Sequence, residues 1–146
     1  MATPYSEIFN LFLAGIQDYK IDKLYQMSVE DAETYMTSFL VRALVNFKNC
    51  QKNLEDRDDT NKQFNETLST EEKVILANLM IVEWLTKEVN DIMQMRLHLH
   101  DADFRTYSEA ENLREKRQQL IVMRELVEKQ MVKYGYKNFD WSKLKQ

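Results

Sequence analysis

The chain has 146 residues, 44% of them hydrophobic, and its 24 acidic against 20 basic residues give a formal charge of −4. That is enough for one domain with a modest core, and the negative balance opposes tight, phosphate-driven binding of nucleic acid. Two glycines and one proline are too few for hairpins, dinucleotide folds or phosphate-cradling loops, so the composition predicts an all-α protein. Cys50 stands alone, which excludes an intrachain disulfide and suits a reducing compartment.

In chain order, Thr3 and Pro4 read as an N-cap followed by proline at the first helical position, opening a helix to about residue 19. Ile8, Phe9, Phe12, Leu13 and Ile16 form its inward face. No basic leader precedes it, and residues 8–16, broken by Asn10, are too short to span a membrane. A second helix starts at Ser28, where Asp31 stands in for the Glu of a capping box. Its apolar stripe runs through Tyr35, Met36, Phe39, Leu40, Ala43, Leu44 and Phe47 at spacings of three and four.

Residues 50–68 are a long polar connection holding Glu55, Asp56, Arg57, Asp58 and Asp59. Clustered carboxylates suit a hard cation such as calcium, but the glycine and the distal glutamate of an EF-hand loop are absent. A solvated acidic loop is therefore expected, and connections of this length often carry interactions.

Ser69, Thr70, Glu71 and Glu72 form a full capping box that starts the most hydrophobic helix, with Val74, Ile75, Leu79, Met80, Val82 and Leu85. Apolar around most of its circumference, it is the expected buried centre, packed by the first two helices and the base of the last. Thr86 is a candidate second N-cap, which would break this helix and restart it to about residue 98.

His98, His100, Asp101 and Asp103 are the one metal-like cluster. On a helix, residues two apart point about 200° apart, so both imidazoles reach one ion only in an extended segment. A frayed helix end is expected instead, with no metal and no cofactor. Nucleophile elbow, HExxH, CxxC and glycine-rich loop are all missing from the sequence, so no catalytic residues are assigned and an enzyme is not expected.

Ser108 and Glu111 open the last predicted helix, which runs to Tyr134 with Leu113, Leu120, Val127 and Tyr134 at seven-residue steps. Met123 and Met131 widen that narrow seam. Gly135 is then expected at the C′ position, ending the helix and turning the chain away. Residues 1–134 thus form the helical domain and 135–146 an extended arm carrying Tyr136, Phe139, Trp141 and Leu144. Two placements of its aromatics are open: folded back on the chain's own core, or docked on a partner.

The string TEEKVILANLMIVEWL at residues 70–85, Asp103 with Phe104, and YSEAENL at residues 107–113 resemble small neck proteins of tailed bacteriophages. The likeness is to head-tail connector, or head-completion adaptor, proteins of phages from Gram-positive bacteria. The resemblance implies a small bundle of four to five helices in a virion structural protein, made in the host cytoplasm. Such proteins form a ring, commonly a dodecamer, beneath the portal protein and beside other neck or tail-completion proteins. Double-stranded DNA passes through the channel without specific binding, and no membrane is involved. The implied contact residues for the portal or a neighbouring ring are Tyr134, Tyr136, Phe139, Trp141 and Leu144. Two other classes fit the residues: a helical regulatory or adaptor module that binds one protein, and a DNA-packaging component related to small terminase subunits. The latter lacks a short helix-turn-helix with a basic recognition helix, because residues 114–124 lie within one long helix.

Overall fold

The computed structural model describes residues 1–98, 107–139, 142 and 144. Among the described residues five helices form: α1 (Tyr5–Ala14), α2 (Tyr19–Met27), α3 (Val29–Asn46), α4 (Thr70–His98) and α5 (Tyr107–Lys137). A small antiparallel sheet joins them, built from β1 (Thr3–Pro4), β2 (Arg57–Asp58) and β3 (Gln63–Phe64) in the order β1-β3-β2. The fold is thus mostly helical, as expected, with this small sheet in addition.

Helix α4 is the hub, with α1, α3 and α5 all packed on it. Ile75, Leu76, Leu79, Met80, Ile81, Trp84 and Leu85 are all buried, as expected for a helix apolar around most of its girth. Phe39 of α3 stacks near Phe12 of α1 at 6.0 Å between ring centres. On α5, Leu113, Leu120, Val127, Met131 and Tyr134 are buried, which is the predicted seam. Polar links fix the same pairs of helices: Asn46 donates to Glu83 at 2.9 Å, and Asn78 donates to Gln130 at 2.8 Å.

Several boundaries differ from expectation, each for a physical reason. Thr3 and Pro4 do not open a helix by capping; they pair with Phe64 and Gln63 as a strand. The Thr3 hydroxyl donates to the Glu66 carbonyl and accepts from the Leu68 amide, both at 2.9 Å, so this residue serves the sheet rather than the helix.

Helix α1 ends at Ala14, not residue 19. At Gly15 a Cβ would stand 2.7 Å from Cδ1 of Ile81, so glycine lets the end of α1 approach α4 closely. A separate helix, α2, then begins at Asp18, whose carboxylate accepts from the Lys20 amide at 2.8 Å. The sequence reading assigns no element to residues 20–27, where most of this helix lies. Ser28 closes α2 through its amide and opens α3 through its hydroxyl, which accepts from the Asp31 amide at 3.3 Å.

Thr86 does not break α4. Its hydroxyl donates back to the Val82 carbonyl at 2.8 Å, a bond that leaves the helix continuous. Gly135 does not end α5 either, since the helix runs to Lys137 and no glycine has a positive φ. Asn138 closes it, with both its backbone amide and its side-chain amide donating to the Tyr134 carbonyl.

The connection over residues 50–68 is ordered by the sheet and by burial of Leu54, Phe64 and Leu68 in the core. Phe64 lies 5.0 Å from the Tyr5 ring. Lys62, in the left-handed region at φ 54, presents its carbonyl to the Tyr5 amide at 2.8 Å and its ammonium to Glu33 at 2.7 Å. Hydrophobic anchors at each end convert a polar stretch into part of the domain.

Candidate functional site

Of the residues assigned to partner contact, Tyr134 is committed to its own chain. It is 2% exposed, and its ring meets Phe47 edge-on at 5.4 Å. Its hydroxyl donates to Glu72 at 2.6 Å and accepts from the Gln51 amide at 3.0 Å. Glu72, also 2% exposed, uses its other oxygen to accept from the Ser69 amide at 2.7 Å, while the Ser69 hydroxyl accepts from the Glu72 amide at 3.1 Å. The predicted capping box therefore exists, and one of its members doubles as the anchor for the C-terminal end of α5. Partner contact through Tyr134 is corrected on that ground: the side chain is consumed by the α4–α5 junction.

Burial, then the bond to the Glu72 carboxylate, raises the Tyr134 phenol well above its ordinary value. Burial also raises the Cys50 thiol, which lies 4.0 Å from Glu72. Lys137 pairs with Glu71 at 3.3 Å across the same junction. An open cleft of about 520 Å³ lies here, lined by Gln51, Lys52, Glu71, Tyr134, Lys137 and Asn138. Just past the anchor, Tyr136, Phe139 and Leu144 are 63%, 47% and 66% exposed. Trp141, the fifth assigned residue, lies outside the described residues.

The acidic connection is internally bonded. Arg57 pairs with Glu55 at 3.0 Å and with Asp59 at 3.3 Å. Asp59 also accepts from the Tyr5 hydroxyl at 2.7 Å. Asp58 accepts from the backbone and side chain of Asn61 and from the Thr60 amide, which together hold its carboxyl below the usual carboxylate range. These carboxylates brace the turn between β2 and β3, so the acidic loop is solvated, as expected, and internally bonded as well. Among the described residues no group of three or more His, Cys, Asp or Glu side chains converges on a metal position. His100, Asp101 and Asp103 lie outside those residues, as does the side chain of His98.

A second concavity, of about 670 Å³, opens between the end of α1, α4 and the middle of α5. Gly15, Ile81, Trp84 and Met123 line it, and Lys116 covers the Trp84 ring with its ammonium 4.6 Å from the ring centre. The Trp84 indole donates to Asp18 at 2.7 Å, so Asp18 caps α2 and ties it to α4 at once. Neither double role was legible beforehand: Asp18 and Glu72 each look like a simple capping residue along the chain. Every buried side-chain nitrogen and oxygen among the described residues has a partner, and no described helix is long and apolar enough to cross a membrane.

Compared with protein-family models, curated proteins and solved structures, the chain matches none of them.

Proposed function

We propose that this chain is a structural protein of the bacteriophage neck, forming a ring that joins the portal to the tail and extends the DNA channel. The observation that carries the proposal is the anchoring of α5: Tyr134 locks its end to the start of α4, and Tyr136, Phe139 and Leu144 follow immediately with large exposed apolar surface. A rigid end that presents aromatic side chains suits docking on another protein, where aromatics dominate interface energetics. The finer architecture in this proposal is a helical body that makes the lateral ring contacts and residues 138–146 as the arm that seats on the portal.

The charge of −4 fits a passage better than a grip, because an acidic wall supplies no counterion-release affinity to hold sliding DNA. The phrases at residues 70–85 and 107–113 point the same way. Measuring the mass of the purified protein with and without a candidate portal oligomer tests the proposal. Formation of a ring of copies on the portal supports it. A chain that ignores the portal and binds one unrelated protein as a monomer would favour the adaptor-module reading instead.

A further inference from the structure

Helix α5 carries apolar side chains on two faces, one buried and one exposed. Its buried seam, Leu113, Leu120, Val127, Met131 and Tyr134, packs on the body. On the opposite side, Val122, Leu126, Val132 and Tyr136 are 44% to 63% exposed. At 100° per residue these four, with Glu125, Lys129 and Lys133, fall within about 60° of a single line along the helix, diametrically across from the buried seam. A shallow hollow lies along this outer face, lined by residues that include Glu125, Lys129, Val132, Lys133 and Tyr136.

The outer face is self-complementary. About a two-fold axis through Lys129, residue 129 − n of one copy meets residue 129 + n of the other. That reversal sets Val122 against Tyr136, Leu126 against Val132, and Glu125 against Lys133, each pair twice. Lys129 meets its symmetry mate on the axis, with Glu125 one turn before it on the same helix to take up the charge, the favourable order for such a pair. Parallel, in-register pairing would instead oppose Glu125 to Glu125 and Lys133 to Lys133, and like charges across an interface cost affinity.

We infer that the outer face of α5 is a docking surface for a second copy of this chain, which pairs α5 to α5 in antiparallel orientation about Lys129. The contact is isologous and closes at two copies, whereas a ring requires heterologous contacts. The antiparallel pair is therefore the form of the free subunit, and it stands apart from the neck proposal.

Charge exchange and cross-linking in the full chain test it. The wild-type protein has twice the chain mass by sedimentation equilibrium at micromolar concentration. Glu125→Lys alone or Lys133→Glu alone weakens the dimer about tenfold or more, with the helical circular dichroism unchanged, and the double exchange restores it. In a Cys50→Ser background, mixing Val122→Cys with Tyr136→Cys yields a disulfide-linked pair under oxidation, and Val122→Cys alone yields none. A monomeric wild type, a double exchange no better than either single change, or linkage of Val122→Cys to itself would each overturn the inference.

Discussion

Tyr134 and Glu72 are 62 residues apart in sequence and 2.6 Å apart in space. This bond joins the last full turn of α5 to the first turn of α4, with both partners almost wholly buried. The carboxylate is also half of a helix cap, so one side chain starts a helix and secures the end of another.

Tyr134→Phe keeps the ring against Phe47 but removes the hydroxyl, leaving the Gln51 amide and one Glu72 oxygen short of a partner. The expected loss is about 1 to 3 kcal/mol, the cost of a buried polar group left unsatisfied. Urea denaturation checks it, and a change under about 0.5 kcal/mol, the size of an ordinary surface effect, would show that the bond does not hold the junction.

Asp18→Ala removes the cap of α2 and the acceptor of the Trp84 indole together. A loss of roughly 1 to 3 kcal/mol is expected, larger than for an exposed cap alone. Asp18→Asn should recover only part of it, since the Lys20 amide and the Trp84 indole use different carboxylate oxygens and an amide offers one oxygen, with its NH2 set against the other donor. Equal losses for the two variants would show that the one bond an amide can keep contributes nothing.

Core truncation at Leu79→Ala or Phe39→Ala should cost roughly 2 to 5 kcal/mol, because both side chains are buried where α4 meets α1 and α3. Losses below about 0.5 kcal/mol at both positions would place the core elsewhere.

Alkaline pH should destabilise the protein through two phenols. Burial raises the Tyr134 and Tyr5 hydroxyls above the ordinary value of 10.0, with Glu72 and Asp59 adding to the effect. A phenol whose pKa is raised by folding contributes stability that is complete below the unfolded value and is lost as pH climbs toward the folded one. Above pH 10 each tyrosine should therefore subtract about 1.4 kcal/mol per pH unit. Melting curves between pH 9 and 11 check the slope, and Tyr5→Phe with Tyr134→Phe should flatten it. An unchanged slope in that double variant would contradict the assignment.

Much of the helical architecture was legible because it is written locally. The stripes on α3 and α4 and the seam of α5 follow from spacings of three, four and seven, and the Ser69 capping box from adjacent residues. What escaped depends on contacts distant in sequence. Two-residue strands at Thr3 and Gln63 leave no alternating pattern to read; they exist because Phe64 and Leu68 bury themselves beneath the N-terminus. Gly15 and Gly135 look alike along the chain, yet Gly15 marks a close helix approach while Gly135 sits inside a helix, where a capping role was expected. The assigned contact residues divided for the same reason. Tyr134 continues the heptad seam and is buried with it, whereas Tyr136, two positions on, turns to the outer face.

Attachment of a truncated chain to capsids tests the neck proposal most directly. Deleting residues 139–146 removes Phe139, Trp141 and Leu144 and leaves Tyr134, Glu72 and the whole of α5 in place. The truncated protein should melt within about 2 °C of the full chain and fail to attach to portal-bearing heads. A melting point many degrees lower, or attachment with undiminished affinity, would mean that these residues belong to the domain's own core and that the arm does not join this protein to a portal.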